Sequence, residues 1–286
     1  MSTHFMKKYL SLIKFSHTIF ALPFAVIGFF LAYPENNISY LIFIYVILCM
    51  VFARSAAMAF NRYIDRDIDT INPRTSKIRE IPSKKINPSS ALKFVILNSI
   101  LFIITTFFIN QLCFLLSPIA LIIILGYSYT KRFTFLCHFV LGIGLSLSPI
   151  GAYLAVTESF DILPIYFSII VLFWVAGFDI IYSLQDEKFD AENNLNSVPV
   201  YFGKKNALVL SRFLHFVPFL ILIFIGVKYN FGVYYLIGAT IFNSLLIYQH
   251  TLVTADDLKK VNIAFFTTNG IASLIFGLFV VLDILI

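Results

Sequence analysis

Asn61, Asp65 and Asp69 stand four residues apart in a stretch that reads Asn-Arg-Tyr-Ile-Asp-Arg-Asp-Ile-Asp. A helix running through that stretch stacks the three polar groups on one face over two turns. A second set lies further on, with Asp179 seven residues before Asp186 and Asp186 four before Asp190, again one helix face. Carboxylates at this spacing with an amide beside them are hard oxygen ligands. They suit Mg²⁺, which takes one or two carboxylates, keeps several waters and completes its shell with phosphate oxygens. Two aspartates four apart are as common on solvated helices as at metal sites. Two such sets in corresponding places of an oily chain carry more weight.

The elements that must hold these groups are membrane helices. Of 286 residues, 59% are apolar and only 13% charged, and the mean hydropathy is +0.89. A helix needs about 20 apolar residues to cross the hydrocarbon core. The sequence predicts nine such spans, at 13–33, 39–60, 92–110, 112–129, 136–156, 162–185, 206–227, 231–249 and 262–285. The expected fold is therefore an all-α polytopic bundle, one transmembrane domain over 1–286. The first apolar stretch is too long for a signal peptide, carries Pro23 and has no small-residue cleavage pattern before Pro34, so it reads as span one.

Basic residues are counted between the spans for orientation. Lys7, Lys8 and Lys14 mark the start, and Arg62, Arg66, Arg74, Lys77, Arg79, Lys84 and Lys85 the link after span two. The links after spans four, six and eight hold Lys131 and Arg132, then Lys188, Lys204 and Lys205, then Lys259 and Lys260, whereas the alternate links hold Lys228 alone. The positive-inside rule then predicts a cytoplasmic N-terminus and an outside C-terminus, as in a bacterial inner membrane. The pI of about 9.1 is an orientation signal with anionic lipid contact as its consequence, and no nucleic-acid footprint. Cys49, Cys113 and Cys137 lack paired spacing, and the five histidines are scattered, so neither a disulfide framework nor a zinc site is expected.

One acidic set follows span two and the other span six. That suggests two duplicated halves, about 13–129 and 136–249, with a final helix at 262–285, and a central cavity between them open to the cytoplasmic side. Asn72-Pro73 should end the helix after the first set. Arg74 and Arg79 follow closely enough to cover the acidic site as a lid, while Lys84 and Lys85 read as ordinary positive-inside charge. A carboxylate facing lipid at mid-bilayer costs about 2.5 to 3.5 kcal/mol, so Asp179, inside span six, must be paired, hydrated or metal-bound. Carboxylates, a metal and basic loops together point to a bound polyanion, and in a membrane the obvious one is a diphosphate on a lipid chain. Of the 33 Phe and 15 Tyr, a few could line a channel and shield an allylic cation, with most serving as packed or lipid-facing bulk.

The chain resembles the UbiA superfamily of intramembrane aromatic prenyltransferases over nearly its full length. Asn61, Asp65 and Asp69 match the family's first motif, and Asp179, Tyr182, Asp186 and Asp190 its second. Tyr127, Lys131-Arg132, Asn72-Pro-Arg-Thr75, Arg79 and the stretch His17-Thr-Ile-Phe-Ala-Leu-Pro-Phe24 match as well. Arg62 stands where many members carry Asp, a form that also occurs in members of the 4-hydroxybenzoate polyprenyltransferase type. The resemblance implies Mg²⁺ held by Asn61, Asp65 and Asp69 on one side and by Asp186 and Asp190 on the other, with a polyprenyl diphosphate between them. It implies diphosphate contacts from Arg66, Arg79, Lys131, Arg132 and Tyr127. It also gives catalytic roles to Asp179, Tyr182 and Lys131, the first two deeper and positioning the cation or acceptor. The implied reaction prenylates a small aromatic acid, 4-hydroxybenzoate first and a naphthoate second. On the residues alone an ion-coupled carrier is the rival; it would place the acids at the midplane on broken helices.

Overall fold

A computed structural model describes residues 8–13, 20–33 and 39–286. In chain order its helices are α1 (Leu22–Leu31), α2 (Tyr40–Ile64), α3 (Arg66–Ile71), α4 (Pro88–Ile109), α5 (Gln111–Thr130), α6 (Cys137–Thr157) and α7 (Ile162–Ser183). There follow α8 (Glu187–Glu192), α9 (Val198–Lys228), α10 (Val233–Thr251), a π-helical turn (Ile263–Thr268) and α11 (Asn269–Leu285). No strand occurs among the described residues. Among the described residues seven helical segments are long and apolar enough to cross a membrane: α2, α4, α5, α6, α7, α9 and Ile263–Leu285. The other two expected spans differ. The first, with the His17-to-Phe24 stretch, lies partly outside the described residues and is helical over Leu22–Leu31. The eighth falls on α10, whose Thr240, Asn243, Ser244, Gln249 and His250 dilute its apolar run.

Helix boundaries follow local chemistry. Pro88 opens α4, where a missing N–H costs nothing. Asp161 and Ser197 accept from the backbone N–H groups of Leu163 and Val200 at the starts of α7 and α9. Asn110 separates α4 from α5, accepts from Cys113 N at 2.8 Å and donates to Leu154 O of α6 at 2.8 Å. One side chain thus caps a helix and pins a hairpin to its neighbour.

In the bundle, α2 packs on α4 and α5, α1 on α6 and α11, α6 on α5 and α7, α7 on α9, and α10 on α11. Close crossings use small residues, as expected where lipid supplies no hydrophobic drive between helices. Gly28 of α1 lies so near Pro149 of α6 that a Cβ there would sit 2.0 Å from the Pro149 carbonyl oxygen. Phe24, Phe167, Trp174, Phe242 and Phe276 are buried together where α1, α7, α10 and α11 meet. These aromatics are therefore core rather than channel lining.

Both acidic stretches break where a continuous helix was expected. α2 ends at Ile64, Asp65 takes φ −86° and ψ 5°, and α3 resumes at Arg66. α7 ends at Ser183, and Asp186 stands at the N-cap of α8. The four-residue ladder nevertheless survives, since Asp69 N donates to Asp65 O and Asp190 N to Asp186 O, each at 2.7 Å. Both stretches thus share one plan, a long helix, a break and a short helix. The helix stop at Asn72-Pro73 is where it was expected, with Asn72 in the extended conformation that a following proline favours.

Candidate active site

Each aspartate at the two breaks faces a base from another segment. Asp65 Oδ1 lies 3.0 Å from Arg132 Nη1, and Arg132 also donates to the Ile64 and Ser128 carbonyls. Asp69 pairs with Arg79 and accepts from Thr75 Oγ1 at 3.2 Å. Asp186 is gripped by Arg74, whose Nε reaches Oδ1 at 2.8 Å while Nη2 meets Oδ2. Asp190 Oδ1 lies 2.8 Å from Lys131 Nζ. Lys131 and Arg132 are neighbours in the chain, yet one serves the second acidic stretch and the other the first. The α5–α6 link therefore sits between the two stretches, and Arg74 with Asn72, which donates to Asp186 at 3.3 Å, closes the other side. Arg74 and Arg79, expected to cover the acidic site, pair with Asp186 and Asp69.

Other expected residues are placed differently. Tyr182 Oη accepts from Arg74 Nη1 at 3.0 Å and its ring lies under the guanidinium. Asp179, deeper on α7, meets His138 Nδ1 at 2.7 Å. The backbone N–H of Val198 donates to His138 Nε2, so Nδ1 carries the proton and donates to Asp179. Asn61 donates to Asp65 at 2.9 Å and accepts from Arg62 at 3.1 Å, which engages the one Asn61 oxygen a metal could use. Tyr127 lies in the wall of a cavity beside the site. Arg66 turns to the Tyr63 carbonyl and to exposed Asp67, and pairs with none of the five site aspartates among the described residues.

The charges are unequal in depth. Burial pushes the Asp65 carboxyl above the usual range, and Arg132 only partly offsets it. Burial likewise raises Asp190 against the pull of Lys131. At Asp186 burial acts the same way, but hydrogen bonds and charge from Arg74, with Lys131 and Asn72, hold the carboxyl below its ordinary value. Asp65 Oδ1 and Asp190 Oδ1 are both shielded from water and lack an aligned hydrogen bond despite their charged neighbours. A carboxylate oxygen carries more than one lone pair, so each keeps an acceptor direction for a hard cation beside the base it faces. Among the described residues no three His, Cys, Asp or Glu groups converge as a metal cage. The donor set therefore fits Mg²⁺ that arrives with phosphate oxygens to complete its shell.

Residues 21–271 match the UbiA prenyltransferase family. The chain is 31% identical over 230 residues to a 4-hydroxybenzoate octaprenyltransferase of Vesicomyosocius okutanii, covering 80% of this chain and 84% of that one. This chain belongs to the UbiA prenyltransferase family. The fold agrees: an apo UbiA homologue from Aeropyrum pernix superposes with a TM-score of 0.85 at 30% identity, covering 93% of this chain and 98% of that one. An Archaeoglobus fulgidus UbiA homologue bound to GPP and Mg²⁺ does so at 0.74 and 22% identity, covering 98% of this chain and all of that one, a likeness of fold.

As a UbiA-family prenyltransferase, the chain sets four paired acids and bases at helix breaks and in the links between helices. The reading of the sequence missed His138, which it took as one of five scattered histidines. Its partner Asp179 is 41 residues away on another helix, and no spacing rule joins them.

Proposed function

We propose that this enzyme transfers a polyprenyl group from its diphosphate to a ring carbon of 4-hydroxybenzoate, in the branch that leads to ubiquinone-type quinones. The observation that carries the reading is the set of four ion pairs joining Asp65, Asp69, Asp186 and Asp190 to Arg132, Arg79, Arg74 and Lys131. Acids and bases in equal number can exchange partners with a metal diphosphate: the carboxylates would turn to the cation and the bases to phosphate oxygens. Asp65 and Asp69 with Asn61, and Asp186 and Asp190, would hold Mg²⁺, which would supply charge neutralisation of the leaving diphosphate. Arg74, Arg79, Lys131 and Arg132 stabilise the same charge from the protein side. Cleavage of the allylic C–O bond leaves a carbocation, the ring carbon forms the new C–C bond, and the ring gives up a proton. Asp179, oriented by His138, and Tyr182, fixed under Arg74, stand deeper on α7 and position the reacting partners. Arg66 would have to leave Tyr63 to reach the diphosphate.

The bacterial relative supports the acceptor by its name, and the archaeal homologue supports Mg²⁺ and a prenyl diphosphate by what it binds. A naphthoate acceptor and an ion-coupled carrier gain no support from either. The repeated plan of the two acidic stretches supports two duplicated halves in a single domain. We further read nine crossings, with α1 and α10 completing the seven, a cytoplasmic N-terminus and an outside C-terminus, in a bacterial inner membrane. Asp65→Ala and Asp186→Ala should each abolish Mg²⁺-dependent turnover while the protein stays membrane-inserted. Full turnover by either variant would remove the metal assignment.

A further inference from the structure

Asp179 differs from the four aspartates at the helix breaks in its partner. Each of those faces an arginine or lysine, whereas among the described residues no such base pairs with Asp179, and its Oδ2 meets the imidazole Nδ1 of His138 at 2.7 Å. That imidazole is buried and fixed at both ends, because Nε2 accepts the backbone N–H of Val198 at 3.3 Å. The Val198 N–H opens α9 and would otherwise be one of the unpaired donors of a helix start. Nε2 therefore carries no proton, and Nδ1–H is aimed at the carboxylate. A neutral donor orients Asp179 without cancelling its charge. The Asp179 side chain is 23% exposed against 2% for Asp190, which leaves Oδ1 within reach of a second contact.

The prenyl transfer described above, on which this inference rests, leaves one proton to place. When ring π electrons form the new C–C bond to the allylic carbon, the attacked ring carbon still holds its hydrogen. That C–H bond must break with its electron pair returning to the ring. The base that takes the proton has to be within hydrogen-bond reach, ionised and uncommitted. Asp65, Asp69, Asp186 and Asp190 face cations, and Tyr182 Oη already accepts from Arg74. Asp179 lies seven residues before Asp186, at most about 10 Å of helix rise. The allylic carbon and the ring carbon, about 3 Å apart when they react, fit within that interval. Tyr182, three residues on and so on the same side of α7, is pressed by the Phe265 ring of the π-helical turn at 4.2 Å, which holds that side still. We propose that Asp179 takes the ring proton on Oδ1 and that His138 is the positioning residue that aims it. The neutral acid then gives the proton to water, and the carboxylate is restored.

The test is single-turnover product formation by the full chain with Mg²⁺ and saturating polyprenyl diphosphate. The acceptor is 4-hydroxybenzoate carrying hydrogen or deuterium at the two carbons beside the hydroxyl, and the proteins are wild type, D179N, H138A and H138N. Size-exclusion profile and thermal midpoint serve as fold controls. Wild type should treat the two isotopes alike, because proton loss follows quickly on bond formation. D179N should slow about 100-fold and H138A about 10-fold, and both should become slower still with the deuterated ring. H138N places an amide N–H near the Nδ1 position and should recover most of the H138A loss. A His138 that only supports the fold would slow turnover without isotope sensitivity. If H138A does not stay monodisperse, H138Q, whose amide reaches the Nε2 position instead, takes its place. A folded D179N that turns over at the wild-type rate, or is slowed without an isotope effect, overturns the proposal and leaves the departing diphosphate as the base. A loss in H138A that is blind to the isotope, or that H138N does not recover, overturns the role of His138. Wild type that makes no prenylated 4-hydroxybenzoate refutes the proposed function and this inference with it, whereas wild-type product with isotope-blind variants refutes the inference alone.

Discussion

Replacing Arg74 with alanine removes the charged side chain that ties the loop after the first acidic stretch to the second. Arg74 gives Asp186 two charge-assisted hydrogen bonds and gives Tyr182 a third contact at 3.0 Å. After truncation Asp186 keeps only Asn72, at 3.3 Å. A fully buried pair broken in this way costs about 3 to 5 kcal/mol, and an exposed one about 0 to 1 kcal/mol. Here the arginine side chain is 31% exposed and the carboxylate 13%, so solvent screening brings the expected loss to about 2 kcal/mol. If that contact is exchanged for one to the leaving diphosphate, kcat/KM for the prenyl diphosphate should fall roughly 30-fold. R74K keeps the charge without the planar fork and should recover part of the loss. The assay is steady-state turnover with prenyl diphosphate varied at saturating aromatic acid, then the reverse. An unchanged kcat/KM for the diphosphate in R74A, with the protein folded, would refute the exchange of partners.

Two substitutions test the scaffold. Gly28→Ala puts a methyl group 2.0 Å from the Pro149 carbonyl, so α1 and α6 must separate at a cost of about 1 to 3 kcal/mol; a lower thermal midpoint in detergent is the readout. Asn110→Ala loses both the α5 cap and the link to Leu154, worth about 2 kcal/mol together. Its thermal midpoint should fall, while the prenyl-diphosphate KM of the folded fraction stays that of wild type.

Long apolar runs made most helices legible, because a bilayer-length segment without charges has few other uses. The stop at Asn72-Pro73 was legible for an equally local reason. The breaks at Asp65 and before Asp186 were not, since polar residues every fourth position suit a continuous helix as well as a broken one. Lys131-Arg132 stood out as a basic pair, yet nothing local says that the two side chains part to serve opposite acidic stretches. Such pairings depend on contacts between segments far apart in the chain, as does the His138–Asp179 bond.

The most direct test of the whole account is product formation by membranes containing this chain, given labelled polyprenyl diphosphate, 4-hydroxybenzoate and Mg²⁺. Prenylated 4-hydroxybenzoate that disappears when any one of the three is withheld, and in Asp186→Ala, is the predicted result. No product from folded wild type with all three present, or product that persists after Mg²⁺ is chelated, would contradict it.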